Sequence, residues 1–519
     1  MGKSPQGEEG RAVGIDLGTT LSKLAYVDTS GKPVLVPNAE GELLTPSVVA
    51  FTKTGVLVGR DAQREALGNP SRAVWHVKRQ MGNPKWRFKV DGETYTPEGI
   101  SALILKKVKQ DAEVHIGPIR RAVITVPAYF DDARRKATED AGAIAGLEVL
   151  DIVNEPTASA LAYGLARSVE DGVSLVYDLG GGTFDVTVIE KRGNEFITLA
   201  TDGDVQLGGK DWDERVVNLL ADKFRKEFSE DPREDPQALA YLWVSAEDAK
   251  KTLSRRDSTK VPVSYKGHWG NYDLTRDEFQ AVSEDLLAMT QLTTEMVLEE
   301  AGVTWSGLAK VIPTGGSTRM PAVQKLLEKM SGKPVQADVP VDETVAQGAA
   351  IHAAICSLRG EGRMTELSAE AAARLGKIRT VDVSAHAMGL IIKDNRTLQY
   401  RNDVLIPKNT RLPSSITKTY QTSNDGQQKI ILQVVQGDAP DPAANITVGT
   451  LEVTGLPAGR PAGAHVKVTY SYDRKGRIHI TAEDQDAGKV IATEITGRAG
   501  LRADEVAEAA RRMSLKSVE

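Results

Sequence analysis

Two aspartates, each closing an apolar run and each followed by a Gly/Thr turn, carry the strongest chemical signal in this chain. Asp16 ends Ala-Val-Gly-Ile-Asp and precedes Leu-Gly-Thr-Thr (12–20), and Asp178 ends Leu-Val-Tyr-Asp and precedes Leu-Gly-Gly-Gly-Thr-Phe-Asp (175–185). Glycine lets the backbone approach a bulky anion with no Cβ in the way. Successive N–H groups in such a turn form an anion-binding concavity. Thr19, Thr20 and Thr183 add hydroxyls that can bond phosphate oxygens. A strand-end carboxylate can hold hydrated Mg²⁺, which takes one or two carboxylates beside phosphates. One Asp-x-Gly turn means little. Two matching copies, each between strands, point to a duplicated phosphate-holding hairpin and so to nucleotide chemistry.

Other nucleotide motifs fit poorly. A P-loop needs Gly-x-x-x-x-Gly-Lys-Ser/Thr between a strand and a helix. Gly2-Lys3-Ser4 has no strand before it, and Gly209-Lys210 is followed by Asp211. The glycine turns lead into strands rather than helices, against a dinucleotide-binding fingerprint.

The elements that must position these residues alternate between strand and helix over 12–358, which means an α/β domain. Strands are expected at 119–127 and 311–313, and helices at 131–147, 154–167, 211–227 and from 321. Pro156 sits in the first turn of the second helix. The composition changes over 359–382, which reads as a linker. From 383 to 500 the pattern is β throughout, with strands at 416–422, 429–436, 448–455, 466–472 and 477–482 and a hairpin turn at 473–476. This is a separate sandwich-like domain. A short amphipathic helix follows within 501–519, and 1–11 reads as a disordered tail.

At 519 residues the chain has room for two or more domains. Its net charge of −6 gives no electrostatic case for nucleic acid or an anionic membrane. With Cys356 the single cysteine, no intrachain disulfide and no zinc cluster are expected, and its apolar run (346–358) marks it as buried. The seven histidines show no pair at ligand spacing. No signal peptide or membrane span is visible, so a cytoplasmic location is expected.

Six blocks, in order, resemble the 70-kilodalton heat-shock chaperone family: 14–20, 122–130, 153–158, 178–185, 207–209 and 315–319. The similarity runs from 12 to about 505. It implies an actin-like ATPase domain of two lobes with a duplicated ribonuclease-H-like core, followed by a β-sandwich that binds extended apolar peptides. Transferred by position, Asp16 and Asp178 organise magnesium and its waters, with potassium as a further cation. Lys78 reaches the γ-phosphate, and Glu155 and Asp185 flank the attacking water, with Thr183 beside them. Thr19, Thr20, Gly181, Gly182, Gly208 and Gly209 hold phosphates. Glu247, Lys250 and Ser254 contact adenosine, and Gly315, Gly316, Ser317, Arg319 and Asp342 complete that pocket. Pro127 and Arg135 relay nucleotide state to the second domain. Leu390, Ile392, Tyr420, Ile430 and Leu432 match the peptide groove, although a sandwich core would need the same residue types. Taken singly, Lys78 reads as a solvated lysine, Glu155 as a helix-start carboxylate and Asp342 as a helix cap.

Three departures stand out. Charged and polar residues interrupt the family's leucine-rich linker at Lys377-Ile-Arg-Thr-Val-Asp382, so weakened linker docking is expected. Leu21 replaces an aromatic. The long helical lid is represented by one helix, and extra residues fall around 393–403. The leading expectation is an ATP-hydrolysing stress-response chaperone with fast peptide release, served by a J-domain co-chaperone and a nucleotide exchange factor. A nucleotide-gated adaptor or exchange factor for a longer chaperone is the alternative. An actin-like filament protein or sugar kinase shares the hairpins but not the β domain.

Overall fold

The computed structural model describes residues 11–166, 170–335, 340–361, 367–394, 396–454, 456, 458–473, 478–485, 489–494 and 500–519. The expected tail through residue 10, helix residue 167, linker residues 362–366 and turn residues 474–476 lie outside these.

Two sheets of one plan build the region before residue 383. The first runs Glu148–Asn154, Ile119–Val126, Arg11–Asp16, Leu21–Val27, Pro33–Val36. Its first three strands are parallel and the next two antiparallel. The second runs Lys310–Thr314, Gly172–Leu179, Phe184–Arg192, Glu195–Asp204, Arg379–Val381. It too carries an antiparallel triple beside a parallel strand. Strands covered on both faces read as continuous apolar runs, which is why Val-Gly-Ile and Leu-Val-Tyr precede the two aspartates.

The helix Thr344–Cys356 is buried at every residue but Gln347. Its Ala/Gly composition is a packing requirement. A Cβ on Gly348 would stand 1.8 Å from the Ala158 carbonyl oxygen, and one on Gly14 would stand 2.0 Å from the Ala350 nitrogen. Bulkier residues would push the first sheet and the helix Glu155–Ala166 away from it.

The β region is a sandwich of two antiparallel four-stranded sheets. One runs Tyr400–Ile406, Met388–Lys393, Lys429–Gln436, Ile446–Thr454, and the other Ser414–Gln421, His465–Tyr472, Ile478–Asp484, Lys489–Glu494. Period-two patterning places Val466, Val468, Tyr470 and Tyr472 in the core beside Met388, Leu390 and Val434.

The linker segment 359–382 is packed against the lobes over its described part. The helix Ala369–Leu375 starts at Ser368, whose N–H donates to Thr29 O at 2.9 Å, and Leu375 and Ile378 are buried with the first-lobe residues Ala25 and Val27. Despite its polar residues, the end of this segment is docked. Arg379–Val381 pairs in parallel with Glu195–Asp204, adding a strand to the second sheet. Strand pairing is made by backbone groups, so exposed Arg379 does not oppose it while Ile378 supplies the buried anchor. Asp382 then accepts from Thr157 Oγ1 at 2.8 Å and Thr198 Oγ1 at 2.9 Å, one hydroxyl from each lobe.

The sandwich sits against both lobes. His386 Nε2 donates to Tyr129 O at 3.0 Å, and Lys408 bridges Asp202 and Glu300 at 2.5 and 2.9 Å. The last helix, Ala503–Ser514, packs through Val506, Ala509 and Met513 on the first lobe's core. Lys106 Nζ caps its end by donating to Met513 O and Lys516 O, both at 2.8 Å.

Candidate nucleotide site

A cleft of about 840 Å³ opens between the lobes. Its lining gathers Asp16, Thr19, Thr20, Lys78, Glu155, Asp178, Gly181, Thr183, Glu247, Lys250, Ser254, Gly315, Gly316, Ser317, Arg319 and Asp342, residues drawn from across the chain. Leu21 lines it too.

The two glycine turns interlock at its floor. A Cβ on Gly181 would meet Thr20 Oγ1 at 2.4 Å, and one on Gly182 would meet Thr19 Cγ2 at 2.3 Å. Gly208 abuts Gly182 so closely that a Cβ would reach its nitrogen at 2.5 Å, and the N–H of Gly209 donates to Gly180 O at 2.9 Å. Gly315 has φ +84 and fits against Asp178. These glycines bring the two lobes' backbones together where a polyanion would lie.

The hairpins share a fold but not a charge. In the first, Asp16 faces Lys23 across the ladder, and in the second, at the same register, Asp178 faces Asp185. Lys23 Nζ lies 2.8 Å from Asp16 Oδ2, both groups buried. Burial opposes the charged lysine, but Asp16 outweighs it and raises the Lys23 pKa. Lys78 Nζ, on the turn Val77–Gln80, lies 2.5 Å from Glu155 Oε1. Among the described residues no salt bridge neutralises Asp178 or Asp185. Burial first, then Glu155, Asp185 and Asp16, push Asp178 well above the usual carboxylate range. Burial and Glu155 push Asp185 up to about 8, against the Tyr129 N–H that bonds it at 3.0 Å. Burial also raises Glu155 against the pull of Lys78. A cation bound among carboxyls that raise one another this way would favour their charged forms. Hard oxygen donors at that density suit Mg²⁺.

At the far end of the cleft, Lys250 Nζ donates to Gly209 O at 2.9 Å and pairs with Asp213 Oδ1 at 2.7 Å. Ser317 Oγ donates to Gly180 O at 2.9 Å, and Arg319 pairs with Asp342 at 2.5 Å; the N-cap of the following helix is Glu343, not Asp342. Glu247 pairs with Lys251 at 2.9 Å.

Pro127 and Arg135 meet at the domain junction. Phe130 N–H donates to Pro127 O, while Arg135 donates to Asn154 Oδ1 at 2.5 Å and to Phe130 O and Ala128 O. Arg135 shares a small pocket with Asp382, His386 and Tyr472. The groove residues divide. Leu390 and Leu432 are sandwich core, whereas Ile392, Tyr420 and Ile430 are only partly buried against it. Tyr420 Oη donates to Asp403 Oδ2 at 2.8 Å, and Lys418 also binds Asp403.

Sequence reasoning missed Lys23, Arg79 and Asp213. Arg79 Nε donates to Gly182 O at 2.8 Å, and its guanidinium grips Asp211, so a first-lobe residue fastens the second lobe's phosphate turn. Nothing beside Lys78 marks Arg79 as buried. The signal for Lys23 was available, since it stands as far past Asp16 as Asp185 stands past Asp178.

No described helix is long and apolar enough to cross a membrane. The chain is 41% identical over 503 residues to the "Chaperone protein DnaK" of Thermotoga petrophila and of Thermotoga maritima, covering 95% of this chain and 82% of each relative. It is 40% identical over 502 residues to the same-named protein of Thermosipho africanus, covering 95% and 81%. The family description "Hsp70 protein" matches residues 12–89 and 83–518. With the interlocked hairpins and the sandwich behind them, these matches make the chain a member of the Hsp70 family, with an actin-like ATPase domain and a β-sandwich.

Proposed function

We propose that this protein is an ATP-hydrolysing chaperone that binds extended apolar segments of unfolded polypeptides in the cytoplasm. The observation that carries the reading is the unneutralised pair Asp178–Asp185 beside the Lys78–Glu155 bridge, under two interlocked phosphate turns. Magnesium bound there would neutralise charge on the phosphates. Asp178, backed by Asp16, would hold it, and Lys23 keeps Asp16 oriented. A potassium ion at Asp16 would have to compete with the Lys23 ammonium, so the reading needs only the divalent cation. Lys78 is placed to meet charge developing at the γ-phosphate, and Glu155 and Asp185 to orient the attacking water, with Thr183 as a hydroxyl partner. Phosphoryl transfer needs little more than this positioning and electrostatics.

Coupling to the sandwich would run through Arg135, Asp382 and the docked strand. Ile392, Tyr420 and Ile430 form the wall offered to peptide. No described residue after 500 covers the sandwich, because the helix Ala503–Ser514 lies on the first lobe. We therefore expect fast peptide release, since affinity differences among related complexes fall mainly in the off-rate. A J-domain co-chaperone and an exchange factor are the partners this cycle calls for. The adaptor reading is favoured by one observation, the closure of Leu390 and Leu432 in the core.

The test is ATP hydrolysis with and without Mg²⁺ and an unfolded apolar peptide, together with stopped-flow release of that peptide from the ADP state. Mg²⁺-dependent turnover stimulated by peptide, with release in seconds, supports the chaperone. Turnover with no peptide binding moves the assignment to the adaptor, and no turnover overturns both.

A further inference from the structure

Away from the nucleotide cleft, three unlike donors converge between the buried helix Thr344–Cys356 and the strand Glu148–Asn154. His352 and Cys356 stand four residues apart and so share one helix face. Asp151 comes from the strand. One ligand atom from each, an oxygen, a nitrogen and a sulfur, lies within 4.8 Å of the other two.

The pairing inside the cluster is incomplete. His352 Nε2 and Asp151 Oδ2 are 2.9 Å apart, and Asp151 Oδ1 takes the Ile152 N–H at 2.9 Å. The other ring nitrogen, Nδ1, is buried with no hydrogen-bond partner. His352 is only 7% exposed and Cys356 8%. The Asp151 side chain keeps about 20% of its surface, which gives an ion a way in.

We propose that Asp151, His352 and Cys356 form a binding site for a borderline divalent metal ion of the zinc class. A thiolate and an imidazole select such ions over magnesium or calcium. Zinc bonds of about 2.0–2.3 Å put donors on one tetrahedral ion roughly 3.2–3.8 Å apart, so the His352–Asp151 pair would part slightly from 2.9 Å to admit the ion. Binding would displace the protons held by the ring and the thiol, as metal sites of this kind do. Two ligands at i and i+4 on one helix, completed by a residue from another element, is a workable zinc geometry. The competing reading is a His–Asp bond that fastens helix to strand, with Cys356 as packing.

The experiment titrates Co²⁺ into the full-length protein with its cleft filled by Mg·ADP, then adds Zn²⁺. Cys356 is the only cysteine in the chain, so a thiolate-to-cobalt charge-transfer band in the near ultraviolet reports on this site alone. The expected result is one Co²⁺ per chain with that band, removed by Zn²⁺. Cys356→Ser should abolish the band, and Asp151→Asn and His352→Gln should each weaken binding at least tenfold. A second measurement needs no variant: Zn²⁺ should slow alkylation of Cys356 in the parent protein by at least tenfold. Absence of both band and protection at saturating metal overturns the proposal. So does metal binding that persists unchanged in Cys356→Ser, which would place the ion among the cleft carboxylates.

Discussion

Removing the Lys78 ammonium is the sharpest perturbation of the cleft. Lys78 and Glu155 lie 2.5 Å apart with side chains 4% and 9% exposed. Lys78→Ala leaves Glu155 buried without its cation, and Asp16 adds like charge nearby. Breaking a buried pair by deleting one partner costs about 3–5 kcal/mol, so the nucleotide-free variant should melt several degrees lower. Hydrolysis should fall further than binding, because many other groups hold the nucleotide. Loss of one preorganised electrostatic contact slows chemistry by roughly 10²–10³-fold. Single-turnover hydrolysis with enzyme in excess of Mg·ATP isolates that step. Glu155→Gln in the same chain separates the two effects. The double variant no longer carries the orphaned charge, so it should regain stability while hydrolysis stays slow. A Lys78→Ala rate within about threefold of the parent would refute the assigned role, and an unchanged melting temperature would refute the buried pair.

Asp382→Ala removes the carboxylate that joins Thr157 to Thr198, bonds of a kind worth about 1.5–3 kcal/mol each; peptide stimulation of the ATPase should drop at least fivefold with basal hydrolysis retained, and unchanged stimulation would count against the docked strand as the coupling element. Met513 is buried on the first lobe, where truncating such a side chain costs about 2–5 kcal/mol; Met513→Ala should speed hydrogen exchange throughout Ala503–Ser514, while exchange already fast in the parent would mean that the helix does not dock in solution. Asp185 titrates near 8 in the fold against an unfolded value of 3.8. The folded state therefore holds the extra proton between these values, and stability present below about pH 4 is lost as pH rises through about 8. Melting temperature against pH should show this decline without nucleotide, and Asp185→Asn should flatten it. An identical slope in that variant would remove Asp185 as its source.

The nucleotide site was legible because local sequence builds it. Each hairpin carries its own aspartate, glycines and threonines, so the two copies could be read off and matched. Even Arg319, far from either hairpin, belonged to a recognisable block, and its partner Asp342 was matched by position. What a one-dimensional pattern could not give was pairing. The offset of Lys23 from Asp16 matches that of Asp185 from Asp178, but only the register shows that Lys23 compensates Asp16 while the opposed pair Asp178–Asp185 stays uncompensated. Arg79 was hidden for the same reason, since its partners Gly182 and Asp211 come from the other lobe.

The linker shows what side-chain types leave out. Its polar residues suggested weak docking, but a strand is added through backbone groups that side-chain identity barely registers. The sandwich was plain from period-two alternation, yet alternation cannot separate a core wall from a groove wall. Leu390 and Ile392 share a strand face and differ only in what the second sheet covers. The Asp151–His352–Cys356 cluster escaped notice because its donors differ in type and Asp151 lies some 200 positions before the helix. Sequence thus determined the family, the two hairpins and the order of domains, all properties of contiguous residues. Tertiary structure decided which charges are paired, which hydrophobes are closed and where the last helix rests, because burial and electrostatic compensation depend on neighbours that chain order does not specify.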